Sequence, residues 1–501
     1  MIRPALASIA ALSIGLSRAS AQDVVASYRR ARGLVDSALV AHGGRPAMAR
    51  ATRLAASFEG LDYWRNQSPT VDPPYTALPW TGTLLLDLPK SRYVWTVTNA
   101  FPGGFKNASR TVIDGTKSFT VNLRQKTLLP VPNRTVAGQR VVLNRLPHLI
   151  LSEVADNPAT LRFLGDLRLT DGSHVTAVSW GSPQSPPLTL GFDRRSKLLT
   201  AILGLQPDPL VGDATTEVVF SDYRSVGGIM APGRRLGRIA GEVTSDVRMV
   251  AIALDRDVPD SAVAEPSGVA RLPVDPLPND DPVRSLAPGV WVIRGAGYWS
   301  LAVAYDDHWL VVDAPGGGTA EILARLHELA PGRPVRYVVP THHHDDHAGG
   351  MRDYIAIGAA IVTPPANRAY FERMARAVPT IRRDSLSLAP RPPRFELLAE
   401  RSRTFSGNGP TVEIHNIGPS PHAKDMLIAW LPNEGILFQG DLLNLPPSGA
   451  VFPNVANATT AHFAAWLRAR GWTVNVLAGS HMPPSPITQL DRALEVSETD
   501  R

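Results

Sequence analysis

The run Thr341-His342-His343-His344-Asp345-Asp346-His347 follows directly on an apolar segment, Val335 to Val339, closed by Pro340. It contains the pattern H-x-H-x-D-H, carried by His342, His344, Asp346 and His347. Neutral imidazole and carboxylate are good ligands for zinc and similar cations. Such a crowd of them at the end of a buried strand is hard to account for without a metal. A strand that opens onto a ligand-rich loop is also where an α/β architecture places its chemistry.

The pattern recurs downstream. His422 stands in Gly418-Pro-Ser-Pro-His422-Ala-Lys-Asp425, before an apolar run from Met426 to Leu431. Gly435-Ile-Leu-Phe-Gln-Gly-Asp441 is an apolar run ending on an aspartate, and Val474 to Ala478 leads through Gly479-Ser480 to His481. Strands that each carry a ligand near one end can bring those ligands together on one edge of a sheet sandwich.

With these motifs in this order, the stretch from Leu286 to Arg501 resembles the metallo-β-lactamase-fold hydrolase superfamily. The resemblance implies an αβ/βα four-layer sandwich and two metal sites. His342, His344 and His422 match the ligands of the first metal. Asp346, His347 and His481 match those of the second, and Asp441 matches the carboxylate that bridges them. Asp313, ending Leu310-Val-Val-Asp313, matches the aspartate that braces the metal loop. Two departures stand out: Ala423 replaces the usual hydroxyl residue after the third-motif histidine, and Ser480 separates Gly479 from His481. They place the outer contacts and loop geometry in question, not the ligands.

The chemistry implied is hydrolysis by metal-bound hydroxide. Two zinc ions about 3.5–4 Å apart share a water and lower its pKa from about 15.7 towards 7. Asp346 is expected to bind the second metal and orient that hydroxide. Iron or manganese fits the same ligands. The substrate class is a carbonyl ester, thioester, lactone or amide. Asp441 favours that range, because the cysteine-free lactamase subclass generally has a serine there. His343 points away from its neighbours by alternation and is expected to support the site from outside it. His415 and His308 are expected to be structural. Two alternatives stay open: iron-dependent sulfur or oxygen oxidoreduction on the same scaffold, and a lipid-binding carrier with a vestigial metal domain.

Residues 1–21 have the form of a secretory leader: Arg3, an apolar segment from Ala5 to Leu16, and Ala19-Ser20-Ala21 as cleavage site. A periplasmic or secreted location follows as an expectation. The chain has no cysteine, so its stability rests on core and metals, not disulfides. The net charge of +6 is spread without a basic run, which argues against nucleic-acid binding. No segment is long and apolar enough for stable membrane insertion.

The fold class expected is α+β. In residues 22–254, Asp23 to Ala41 has helical spacing, with Val24, Tyr28, Ala31, Val35 and Leu39 on one face, and Gly43-Gly44 ends it. Short β-type runs follow. Asp114-Gly115 and Asp171-Gly172 mark hairpins, and Thr215 to Phe220 and Val243 to Leu254 read as strands. The result is a mostly antiparallel β domain with a leading helix. With Tyr223 to Gly228 before Ile229 to Pro232, this region resembles the periplasmic lipoprotein-carrier type of curved half-barrel. It can then hold a lipid or acyl ligand, or serve as a scaffold for the catalytic domain. Residues 255–289 carry seven prolines and read as an extended linker. Residues 290–501 form the catalytic domain. Its helices are expected at Thr319 to Leu329 and Thr460 to Arg470, each with threonine as N-cap. Loops Gly295 to Trp299, Tyr370 to Pro379 and Leu445 to Asn457 are expected to wall a small-molecule substrate pocket.

Overall fold

The computed structural model describes residues 21–139, 146–182, 185–272, 281–445 and 457–495. The expected leader, apart from Ala21, most of the loop after Leu445 and the middle of the proline-rich stretch lie outside these residues.

The N-terminal half is one wide sheet. Among the described residues it has fourteen strands, with Arg53–Tyr63 and Glu242–Leu254 paired antiparallel at its middle. Period-two alternation sets its two faces. In Ala77–Asp87, Trp80, Leu84 and Leu86 are buried while Thr81 and Thr83 are exposed. Asp114-Gly115 and Asp171-Gly172 both lie in hairpins, and both glycines have positive φ.

The leading helix, Ala21–Ala41, buries Ala31, Val35, Ala38 and Leu39. These pack with Leu151 and Val154 of the helix Pro147–Asp156 onto Trp180, Phe192 and Phe220 of the sheet. Val24 is instead exposed, as are residues 23–26 as a whole, so packing begins only after the first turn. Gly43, at φ 108°, reverses the chain so close to Gly228 that no side chain would fit there.

The proline-rich stretch is less free than its composition suggests. Asp260–Val263 forms a helical turn, and Ala270–Arg271 pairs parallel with Thr127–Pro130 of the N-terminal sheet. Val258 and Val263 are buried against that sheet, while Val283–Ala287 already pairs with Val290–Gly295 beyond it. Apolar side chains between the prolines dock the segment at both ends.

The C-terminal half stacks a seven-stranded sheet on a six-stranded sheet. Leu301, Val303, Leu310 and Val312 of the first meet Val412, Ile414, Leu427 and Ala429 of the second. Outside the first sheet lie the helices Thr319–Leu329, Met351–Ile357 and Arg368–Arg376, and outside the second lie Ala458–Arg468 and Thr488–Leu494. Inner strands are covered on both faces, so Trp309–Val312 and Leu427–Leu431 are buried throughout. This is an αβ/βα sandwich. The threonine caps are not as expected. Thr319 donates to the Pro315 carbonyl, and the second helix begins earlier, capped by Asn457, whose side chain accepts from Thr460 N.

Candidate metal centre

Parallel pairing puts the ends of four strands on one edge of the sandwich. Trp309–Val312 runs parallel to Val335–Val339, and Ile436–Phe438 parallel to Val476–Gly479. Asp313, the Thr341–His344 loop, Asp441 and His481 leave these ends in turn. Gly440, at φ 68°, makes the turn before Asp441; a Cβ there would meet Thr341 Oγ1 at 2.8 Å.

All seven residues expected as ligands converge. His342, His344, His422 and Asp441 form one group, Asp346, His347 and His481 a second, with the ligand atoms of each within 4.8 Å of one another. His342 Nε2 lies 2.8 Å from His344 Nδ1 and 3.1 Å from His422 Nε2. Asp441 Oδ2 stands between the groups, 2.9 Å from His422 Nε2 and 3.6 Å from His347 Nε2. Asp346 Oδ2 is 3.0 Å from His481 Nε2.

Hydrogen bonds fix which nitrogens face inward. His344 Nε2 donates to the Ser68 carbonyl at 3.0 Å, leaving the Nδ1 lone pair for the centre. His347 Nδ1 donates to Asp313 Oδ2 at 2.8 Å, leaving Nε2. Asp313 also accepts from Thr341 N at 2.7 Å and from Ser480 Oγ at 2.6 Å. Asp313 therefore braces the loop as expected. Ser480, the extra residue before His481, ties the last motif to the same carboxylate. Ser420 Oγ accepts from both His422 N and Ala423 N, so the third motif is held without a hydroxyl at position 423.

The electrostatics suit a cation. Burial, with the neighbouring imidazoles, holds His342 and His344 well below the usual histidine range and therefore neutral. Burial opposes ionisation of Asp441, but His422, His342 and His347 outweigh it and keep the carboxylate charged. Asp346 is likewise held ionised against burial by His347 and His481. Three carboxylates, Asp313, Asp346 and Asp441, face buried His347 and outweigh its burial, so this end of the centre carries excess negative charge that favours a positive charge there. Lone pairs of neutral rings pointing at one another are repulsive unless a cation lies among them. Buried His347 Nε2 and Asp441 Oδ1 have no hydrogen-bond partner among the described residues. The donor set fits divalent metal.

His343 lies beside this set. Its carbonyl accepts from Tyr370 OH at 3.0 Å, and burial lowers its ring to about 4. His415 pairs with Glu413 and packs on Trp472, and His308 stacks on Tyr305 in a turn.

No local sequence pattern pointed to the contribution from the N-terminal half. The loop between Arg53–Tyr63 and Ala77–Asp87 reaches across to the ligand loop. Asn66 Nδ2 donates to Asp345 Oδ2 at 2.8 Å, and Gln67 Nε2 donates to Asp346 Oδ1 at 2.9 Å. Asp345 is pushed up to about 6 by burial, Asn66 opposing. A cleft of about 790 Å³ opens over the centre, lined by Asp346, His422, Asp441 and His481 and by Trp64, Phe101 and Phe105. Tyr298 lines it from the loop expected to do so. Tyr370 to Pro379 does not; part of it borders a separate cavity.

Residues 293–478 match the family model of the metallo-beta-lactamase superfamily. The C-terminal half of this chain is a metallo-β-lactamase-fold domain with His/Asp groups able to bind metal. Solved structures similar to it include a metallo-beta-lactamase from Pontibacter korlensis, 23% identical, covering 42% of this chain and 96% of the other, at TM-score 0.32. A metallo-beta-lactamase from Hirschia baltica is 21% identical over 42% of this chain and 96% of its own, also at 0.32. A stereoselective inverting sec-alkylsulfatase from Pseudomonas sp. is 19% identical over 42% of this chain and 40% of its own, at 0.31.

Proposed function

We propose that this protein is a dinuclear zinc hydrolase acting on a carbonyl ester, thioester, lactone or amide. The observation that carries this is the position of Asp441, one carboxylate within 4 Å of nitrogens from both donor groups. His342, His344 and His422 would hold one ion, Asp346, His347 and His481 the other, with Asp441 between them. Ions bound there would supply Lewis acidity and a water that ionises near neutral pH.

The chain's own residues then have distinct tasks. Asp346 has its Oδ1 engaged by Gln67, so the carboxylate is held in one rotamer, placed to orient a water. Tyr298 packs edge-on against His481; burial and the charge of Asp346 raise its phenol, which therefore stays protonated and can donate to a developing oxyanion. The aromatic wall keeps bulk water from one side of the cleft.

The leader at residues 1–21 supports a periplasmic or secreted location. Among the described residues no helix is long and apolar enough to cross a membrane.

Elemental analysis of the purified protein, joined to a panel of chromogenic esters, thioesters, lactones and β-lactams, tests this function. About two zinc equivalents and chelator-sensitive turnover are expected. Protein that binds iron alone and turns over only with oxygen or a sulfur substrate would replace hydrolysis by oxidoreduction.

A further inference from the structure

Four successive residues of the N-terminal half are committed to the site. Arg65 is anchored in its own half, paired with Asp208 and, at 2.6 Å, with Glu242. Its guanidinium is almost wholly buried there, which fixes the root of the loop. Asn66, Gln67 and the Ser68 carbonyl then reach Asp345, Asp346 and His344. Further along, the Pro69 carbonyl accepts from Lys424 N at 2.8 Å, two residues beyond His422.

A second loop, between Arg92–Ala100 and Lys106–Asp114, arrives from the same sheet edge. The Gly103 carbonyl accepts from Thr459 Oγ1 at 2.9 Å. Gly103 has φ 88°, and a Cβ there would meet Thr459 Oγ1 at 2.6 Å and His422 Nδ1 at 3.0 Å. The loop thus sits against a ligand ring as closely as glycine permits. Its flanking Phe101 packs on Trp64 of the first loop, ring centroids 4.4 Å apart and tilted by 38°. Phe105 lines the same cleft, with Lys106 and Asn107 beside it and the metal-facing residues completing it. A cleft of this volume, more apolar than polar, suits a small organic molecule with an apolar body.

We propose that the N-terminal half is the specificity-determining part of this active site. Trp64, Phe101 and Phe105 form a wall that receives a ring-sized apolar group of the substrate, next to the carbonyl to be cleaved. The proposal rests on the hydrolase function above for its substrate. Its recognition element stands on geometry alone.

The test uses the full-length, zinc-loaded protein and two methyl esters that share a leaving group, methyl phenylacetate and methyl acetate, followed by proton release. The wall should favour phenylacetate in kcat/KM by at least about tenfold. Trp64→Ala and Phe101→Ala should each reduce that ratio, mainly through KM, and Trp64→Phe should restore most of it. A second readout needs no turnover: sodium phenylacetate and sodium acetate are titrated into the protein, and tryptophan fluorescence and heat are measured. Saturable binding of phenylacetate but not acetate, lost in Trp64→Ala, supports the wall even if neither ester is cleaved, in which case only the hydrolase function fails. Equal kcat/KM for the two esters, a ratio unmoved by both alanine variants, or equal binding of the two anions would overturn it.

Discussion

The carbonyl of Ser68 accepts a 3.0 Å hydrogen bond from Nε2 of His344, a residue 276 positions later in the chain. One half of the protein thereby sets the tautomer of a candidate metal-holding histidine in the other. The imidazole must present Nδ1 to the centre, and a backbone carbonyl that cannot titrate or be altered by substitution at position 68 enforces it.

Metal occupancy should show in stability. The buried donors repel or lack partners without a cation, so zinc should bind the folded state far more tightly than the unfolded one. At a free concentration 100 times its Kd, a single ion adds about 2.7 kcal/mol. Thermal unfolding followed with and without a chelator should show a midpoint that rises with zinc and is restored by adding it back. Asp441→Ala should lose at least one metal equivalent and nearly all hydrolysis; full activity in that variant would remove the carboxylate from its bridging place.

Gln67 offers a sharper check on the contact between the two halves. Its amide holds one oxygen of Asp346 at 2.9 Å. Outer contacts of this kind are worth about 10–100-fold in metal affinity or activity. Gln67→Ala should weaken metal at the second site or lower kcat by that order, and Gln67→Glu, which sets carboxylate against carboxylate, should do worse. Competition with a chromophoric chelator reads the affinity directly. Wild-type values in both variants would show that the contact orients nothing.

Asp313 and Ser480 can be separated by measuring metal affinity and urea unfolding for both variants. Asp313 holds His347, the Thr341 amide and the Ser480 hydroxyl together. Asp313→Ala removes all three and should cost metal affinity severely. Ser480→Ala leaves the His347 bond intact and should cost about 0.5–1.5 kcal/mol in stability, read by urea unfolding of the zinc-loaded protein. Equal losses in the two variants would mean that Asp313 acts only through Ser480.

Stability should also fall with acid for a reason remote from the site. His42 and His148 are buried where helix meets sheet, and burial lowers each to about 4. Both rings are neutral when folded, while the unfolded chain takes up protons near pH 6.5. Their contribution is therefore complete above about 6.5 and is lost as pH falls from there towards 4. A tenfold change in proton affinity corresponds to about 1.4 kcal/mol, so the two rings together lose on the order of 7 kcal/mol between pH about 6.5 and about 4. Urea unfolding of chelator-treated protein at pH about 7.5 and about 5 measures the loss. A His148→Phe variant should show a smaller difference between the two pH values than wild type; the same difference would show that the rings do not carry it.

The convergence of His/Asp groups at strand ends, the contacts of Asp313 and the sandwich were legible because each has a local signature. An apolar run predicts a buried strand, and a metal admits few side chains, so ligands at strand ends stand out. The leading helix was legible from its spacing, although Val24 shows that periodicity does not say where packing begins. Proline content did not reveal that Val258 and Val263 pack on the N-terminal sheet and that Val283–Ala287 pairs with Val290–Gly295, because side-chain docking is not written in proline spacing. What the chain alone determined, then, was the chemistry available: which atoms can hold cations, and on what kind of scaffold. The surroundings of that chemistry came only with tertiary structure. Trp64, Gln67 and Gly103 sit in ordinary polar or glycine-containing loops, and Ser68 contributes a backbone oxygen that any residue possesses. Nothing in local sequence encodes a contact made across hundreds of residues, because its energy exists only after two separate sheets have folded and met.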